Sequence, residues 1–295
     1  MSELELFTLG EAERPVRGRI EGPEGPEGPE SHREGDLRPH VLVLHGFKGF
    51  MDWGFFPELS RRLAAAGLVA VSFNRSGSGI GADLETFSDE EGFAANTLTR
   101  DLEDIDRVRR YVRSGSLPGV DPARGAVFGH SRGGAHALVH AAEHGDYMGV
   151  VTWSAVDSHA RLAAEVEELW RREGHVVVHN ARTGQDLRLD VGFLDDLRRN
   201  TERLDVLAAC ARLTTPTLLV HGAEDESVPV AALEALFAAI PQGFARRLSI
   251  AGTGHTFGAV HPLQTVPEPL ETALRATLEH FAGVFGPDQP VRAAD

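Results

Sequence analysis

The chain has 295 residues, 42% hydrophobic and 25% charged, an ordinary globular composition with enough apolar residues for a large core. Its 44 acidic against 29 basic residues give a formal charge of -15, which argues against nucleic acid or an anionic membrane as partner, because phosphate binding calls for a concentrated basic face. The clusters Arg107-Val108-Arg109-Arg110 and Arg171-Arg172 lie among acids at helical spacing and read as solvated, ion-paired helix surfaces. A single cysteine, Cys210, allows no internal disulfide, so the fold does not depend on an oxidising compartment. The N-terminus lacks the basic and apolar regions of a secretory signal, and no apolar run approaches the roughly 20 residues of a spanning helix, so a cytoplasmic location is expected.

In chain order, Glu5 to Leu9 and Val16 to Ile20 alternate like two strands of an antiparallel hairpin. Gly22-Pro23-Glu24 then repeats through Glu30, a collagen-like triplet too short for a triple helix, which reads as an extended solvated loop over 21-36. From Val41 onward apolar strands near 41-45, 69-73, 125-129, 148-153, 216-221 and 246-250 alternate with helical patterns, as a parallel sheet covered on both faces requires. The stretch Asn74 to Gly81 is glycine-rich. It lacks the Lys-Ser/Thr ending of a phosphate loop, and its Gly77, Gly79 and Gly81 are not at dinucleotide spacing, so no nucleotide or other cofactor is expected.

The run Gly125 to Gly134 delivers Gly129-His130-Ser131-Arg132-Gly133 from an apolar strand into an Ala- and Leu-rich helix. A serine there sits at the tip of a strained turn, with glycines on either side permitting close backbone approach. The competing reading is Ser131 as a helix N-cap.

The interval from Val156 to Thr215 exceeds a simple crossover and suggests a cap. It opens with an amphipathic helix bearing Leu162, Val166, Leu169 and Trp170 on one face, ended by Gly174. A hairpin follows, 175-179 against 186-190 with Gly184 at the turn, and a helical stretch from Phe193 to Ala211 returns to the sheet. His175 and His179 share one face of a strand, but no carboxylate or cysteine cluster completes a metal site, and no metal is expected.

Beyond the cap, the strand Thr217 to His221 ends in a turn carrying Glu224, Asp225 and Glu226. The strand 246-250 is followed by the Gly-flanked loop Gly252-Thr253-Gly254-His255. Serine, carboxylate and histidine thus fall in the chain order that a nucleophile elbow needs. Asp157, just past the strand near 148-153, is a further candidate acid, and His261, followed by Pro262, a further candidate base whose setting reads as a loop or surface histidine.

Together, His45-Gly46-Phe47, Gly129 to Gly134, His221 to Pro229 and Gly252 to His255 resemble the motifs of the α/β-hydrolases from about Val41 to about Phe281. Within that superfamily the chain is similar to bacterial carboxylesterases of the cinnamoyl/feruloyl esterase type. The resemblance implies an α/β-hydrolase fold, a mostly parallel central sheet flanked by helices, with a small helix and β-hairpin cap inserted after strand 6. The core would comprise 1-156 and 213-286, the cap 157-212, and 287-295 a flexible tail. It also implies Asp225 as the acid, with Glu224 and Glu226 facing solvent.

A serine hydroxyl is a poor nucleophile at neutral pH, so His255 would take its proton and later protonate the leaving alcohol, while Asp225 fixes the imidazole. Backbone amides of Phe47 and Arg132 would receive the oxyanion. Trp53, Trp170 and Phe193 are candidate aromatic walls for substrate. The Arg132 side chain could meet an anionic substrate or pair with Asp89, Glu224 or Glu226. The expected activity is hydrolysis of short-chain or aromatic acyl esters, with small-molecule esters as partners and a homodimer left open. The alternatives are a serine peptidase of aminopeptidase or acyl-peptidase type, a thioesterase, and a catalytically silent binding protein.

Overall fold

The computed structural model describes residues 3–23, 37–160, 163–180 and 183–286. The Gly-Pro-Glu loop from residue 24 onward, Leu162, the hairpin-tip residues Ala181 and Arg182 and the tail 287–295 lie outside the described residues.

Strands β1 (Glu3–Leu9) and β2 (Val16–Gly22) form the antiparallel hairpin read from their alternation. Next come β3 (Arg38–Leu44), α1 (Phe56–Ala65), β4 (Val69–Asn74), α2 (Glu90–Ala94) and α3 (Leu98–Arg113). The nucleophile motif joins β5 (Val120–His130) to α4 (Arg132–His144), and β6 (Gly149–Trp153) follows. The insertion contains α5 (Ala164–Glu173), β7 (His175–Asn180), β8 (Gln185–Asp190), α6 (Gly192–Arg199) and α7 (Val206–Cys210). The chain then closes with β9 (Thr217–Gly222), α8 (Ala231–Ala239), β10 (Ala245–Ile250) and α9 (Glu268–Phe285).

Eight strands make one sheet in the order β1-β2-β4-β3-β5-β6-β9-β10, parallel from β4 to β10, with β2 antiparallel to both β1 and β4. Every residue of β4, β6 and β9 is buried, as expected for parallel strands covered on both faces. Pairing of Leu44 with Gly129 and of His130 with Trp153 sets the ends of β3, β5 and β6 side by side. The loops after these strands and after β9 and β10 therefore open at one sheet edge, where open α/β sheets bind ligands.

The insertion follows the sixth strand, and β7 and β8 pair as a separate antiparallel hairpin. Two details differ from the sequence reading. The stretch from Phe193 to Ala211 is two helices: the Asn200 amide and Thr201 hydroxyl bond back to the carbonyls of Asp196 and Leu197, and Asp205 then caps a new helix by accepting from the Ala208 amide at 2.9 Å. The apolar stripe of α5 is also only partly covered, since Trp170 is buried while Val166 and Leu169 are 42% and 43% exposed.

The insertion is tied down at several points. Thr99 at the start of α3 donates through its amide and hydroxyl to Asp196, Lys48 Nζ donates to the His179 carbonyl at 2.8 Å, and Gln185 Nε2 donates to the Phe87 carbonyl. Both basic clusters are ion-paired, Arg107 to Asp104, Arg110 to Asp106, Arg171 to Asp195 and Arg172 to Glu173. Cys210 is buried, and burial pushes its thiol up to about 12. Among the described residues no helix is long and apolar enough to cross a membrane.

Replacing Asp205 with Ala removes the cap that starts α7 and is expected to lower stability by about 1 kcal/mol. Denaturant unfolding should show this as a lower midpoint with an unchanged slope.

Candidate active site

The sharp turn between β5 and α4 is set by contacts of backbone on backbone. A β-carbon on Gly129 would sit 2.2 Å from the Gly133 carbonyl oxygen, and one on Gly133 would sit 2.5 Å from the His45 carbonyl oxygen. Only residues without side chains let strand, helix and the loop after β3 approach this closely. Between them Ser131 is held at φ 58° and ψ -122°, a strained conformation for a side-chain-bearing residue, costing about 1–3 kcal/mol. Its amide donates to the Trp153 carbonyl at 2.9 Å, which pins the turn to the neighbouring strand. Ser131 occupies the N-cap position of α4, yet its side chain makes no capping hydrogen bond. The hydroxyl is thus not spent on the cap.

On the other side of the cleft, His255 Nδ1 donates to Asp225 Oδ2 at 2.8 Å. The other oxygen of Asp225 accepts from the amides of Ser227 and Val228 at 2.9 and 2.8 Å. Burial pushes the Asp225 carboxyl up, but the His255 hydrogen bond, the Val228 amide and the charge of His255 outweigh it and hold the group at about 2. Among the rival acids, Glu224 and Glu226 are exposed, and Asp157 is buried beside Ser158 and His159. His261 is exposed and accepts the Gly54 amide at 3.0 Å while its ring stacks on Trp53, so it fixes the loop after β3.

Ser131 and His255 line one small cleft together with Gly46, Phe47, Gly49, Trp53, Phe56 and His130. A β-carbon on Gly46 would come within 3.0 Å of the Ser131 β-carbon, so glycine there lets the loop carrying Phe47 reach the serine. Among the described residues the Phe47 amide makes no hydrogen bond, and the Arg132 amide, first in α4, has no partner one turn back. Both remain available as donors. Of the three aromatic candidates, Trp53 lines this cleft, whereas Trp170 and Phe193 do not. Those two stack on each other at 5.7 Å, and Trp170 Nε1 donates to the Leu189 carbonyl, so they form the core of the insertion.

The Arg132 guanidinium makes no ion pair with Asp89, Glu224 or Glu226. It lies 3.8 Å over the Phe47 ring and 5.1 Å from that of Phe193, and so joins the helix start to the loop after β3 and to the insertion. Burial lowers its pKa to about 10, against the attraction of Asp101.

Two supporting features were not foreseen. His130 Nε2 donates to the His255 carbonyl at 2.9 Å and its ring packs 4.6 Å from the His255 ring, so the residue before the serine also holds the histidine loop. Beneath the loop after β3, Arg75 donates to the His45 carbonyl at 3.1 Å and pairs with Asp101, which also meets His136 Nε2 at 3.1 Å. Arg75 and Asp101 are 4% and 1% exposed, and losing one partner of such a buried pair costs about 3–5 kcal/mol. The glycine-rich stretch 74–81 thus contributes a buried arginine that anchors the active-site loop. No sequence spacing points to it.

A mostly parallel sheet whose strand ends at one edge carry a strained serine and a carboxylate-bound histidine defines an α/β-hydrolase of the serine-hydrolase class. The chain belongs to the prolyl oligopeptidase family, whose model matches residues 55–259. No curated protein sequence matches significantly. Among solved structures, Est1E from Butyrivibrio proteoclasticus with ferulic acid bound is 21% identical, with 94% of this chain and 99% of that chain covered and a TM-score of 0.65. The monoacylglycerol lipase of Paleococcus ferrophilus is 18% identical, covering 96% and 99%, also at 0.65. Puromycin hydrolase is 22% identical at 0.65, with 97% of this chain but 40% of that chain covered. These likenesses are of fold.

Because Asp225 titrates near 2 in the folded chain, below the ~3.9 of an unperturbed Asp, its ionised form stabilises the fold above about pH 4 and that contribution is lost as pH falls toward 2. The stability advantage of the wild type over Asp225→Asn should therefore shrink as pH falls from about 4 toward 2. Denaturant midpoints from pH 5 downward check it, and a difference that stays level to pH 2 would contradict it.

Proposed function

We propose that the chain is a serine esterase cleaving short-chain or aromatic acyl esters through an acyl-enzyme, with Ser131 as nucleophile, His255 as base and Asp225 as its orienting acid. The observation that carries this reading is the 2.8 Å bond from His255 Nδ1 to Asp225 Oδ2, which leaves Nε2 as the proton acceptor of a residue that lines one cleft with Ser131. Ser131 Oγ attacks the ester carbonyl carbon as Nε2 takes its proton, and the oxyanion forms against the amides of Phe47 and Arg132. Collapse of that intermediate expels the alkoxide, which receives the proton from His255. Water then repeats the sequence on the acyl-enzyme and frees the acid and Ser131. Asp225 stays ionised throughout.

The ester preference draws on the aromatic wall given by Trp53 and on the likeness to Est1E with bound ferulic acid and to a monoacylglycerol lipase. Membership of the prolyl oligopeptidase family favours a second reading, cleavage of peptide or aminoacyl amide bonds by the same residues. The puromycin hydrolase likeness points the same way. Fold does not choose between them.

Initial rates on p-nitrophenyl acyl esters, methyl ferulate and aminoacyl anilides separate the two. The esterase reading expects kcat/KM for the best ester to exceed that for the best anilide by about 100-fold or more, and expects Ser131→Ala to lower kcat by about 10^4-fold or more. Faster anilide cleavage that is also lost in Ser131→Ala would establish the peptidase reading. No turnover of any member of the panel by folded protein would leave a binding role.

A further inference from the structure

Roughly 13 Å along α4 from Ser131, at 1.5 Å per residue, a second cluster of chemistry-bearing side chains lies between α3 and α4. His140 and His144 stand one turn apart on α4 with ring centroids 4.3 Å apart, and Asp106 faces them from α3. One donor atom from each of the three lies within 4.8 Å of the others, and Asp106 Oδ1 is 3.5 Å from His144 Nε2. That separation matches the ~3.4 Å edge of a tetrahedron with metal–ligand bonds of ~2.0–2.2 Å.

His140 supplies an independent observation. Its side chain is fully buried, Nδ1 lies 2.9 Å from Tyr147 Oη, and Nε2 has no hydrogen-bond partner. A buried ring nitrogen left unpaired carries a desolvation cost, and a cation bound there removes it. With Nδ1–H donating to Tyr147 Oη, the Nε2 lone pair is free, the arrangement in which an outer hydroxyl fixes the tautomer of a metal-binding histidine.

The surrounding charges narrow the choice of cation. Arg110 Nε donates to Asp106 Oδ2 at 2.9 Å and so orients the carboxylate from behind, leaving Oδ1 toward the histidines. Arg109 touches Oδ1 only at 3.4 Å, because its guanidinium is held mainly by Asp146. Arg113 also pairs with Asp146, and Arg203 pairs with Glu143. Two imidazoles and one carboxylate oxygen among arginines suit a borderline cation and not Mg2+ or Ca2+, which require several oxygen ligands.

We propose that Asp106, His140 and His144 bind one Zn2+ per chain and so clamp α3 to α4. The side chains of His144 and Asp106 are 26% and 29% exposed, so water reaches the remaining coordination position. The histidines singled out by sequence, His175 and His179, are a different pair: His179 Nδ1 donates to Asp186 Oδ1 at 2.9 Å and His175 Nδ1 to the Glu173 carbonyl, on an exposed hairpin face.

The test uses untagged, chelator-stripped full chain titrated with Zn2+ against a chromophoric chelator and followed by thermal unfolding. Expected are one Zn2+ per chain with a Kd of about 10 μM or tighter, a Tm raised by several degrees, and no shift with Mg2+ or Ca2+. His144→Ala and Asp106→Asn, both at partly exposed positions, should each weaken binding at least about 10-fold while the metal-free chain still unfolds cooperatively. No binding tighter than about 1 mM, or binding unchanged in both variants and lost in a His175→Ala, His179→Ala double variant, would overturn the proposal.

Discussion

Close approach of backbone to backbone at the start of α4 is the constraint on which the site depends. Strand β5, the first turn of α4 and the loop after β3 meet with no side chain between them. A β-carbon at Gly129 or Gly133 would fall within 2.5 Å of a carbonyl oxygen. Because the contacts are between main chains, nothing repacks to relieve them. They force Ser131 into its strained conformation and bring the amides of Phe47 and Arg132 to the same side of the sheet. The strain is offset by the surrounding structure: the Ser131 amide is bonded to β6, and the loop after β3 is held from below by the buried Arg75–Asp101 pair.

Around this fixed point the remaining groups arrive on loops whose geometry is locked by hydrogen bonds. Two amides and one imidazole fill the oxygens of Asp225, so the carboxylate is fixed before it meets any substrate. His130 reaches across from the nucleophile turn to the His255 carbonyl, so a shift of one loop would be felt by the other. Arg132 extends the connection to the insertion through the rings of Phe47 and Phe193. Binding across the cleft would thus meet a preorganised site, the condition under which electrostatic stabilisation of a developing oxyanion is largest.

Much of the fold is legible in the sequence because its signals are local and periodic. Apolar runs without alternation mark strands buried on both faces, the alternating Glu5 to Leu9 and Val16 to Ile20 mark the edge hairpin, and Gly174 and Gly184 mark turns where φ is 73° and 72°. Motif and chain order likewise single out Ser131, Asp225 and His255, which the fold gathers at one sheet edge. What escaped is what depends on long-range partners. Nothing in the sequence near Arg75 announces that Asp101 and the His45 carbonyl will meet it in the interior, and nothing near Trp170 shows that it will stack on Phe193. The break between α6 and α7 was missed because a single apolar stripe runs through it, while Asp205, the residue that restarts the helix, is a polar cap that periodicity does not weigh.

The proposed chemistry makes Ser131 nucleophilic through His255 and Asp225. The most direct measurement is the rate and position of covalent labelling by a fluorophosphonate, followed by intact mass and peptide mapping in the wild type, Asp225→Asn and His255→Ala. A single adduct on Ser131 is expected, formed at least about 100-fold more slowly in both variants while they remain folded. An adduct on another residue, or labelling of Ser131 at an unchanged rate without His255, would contradict it.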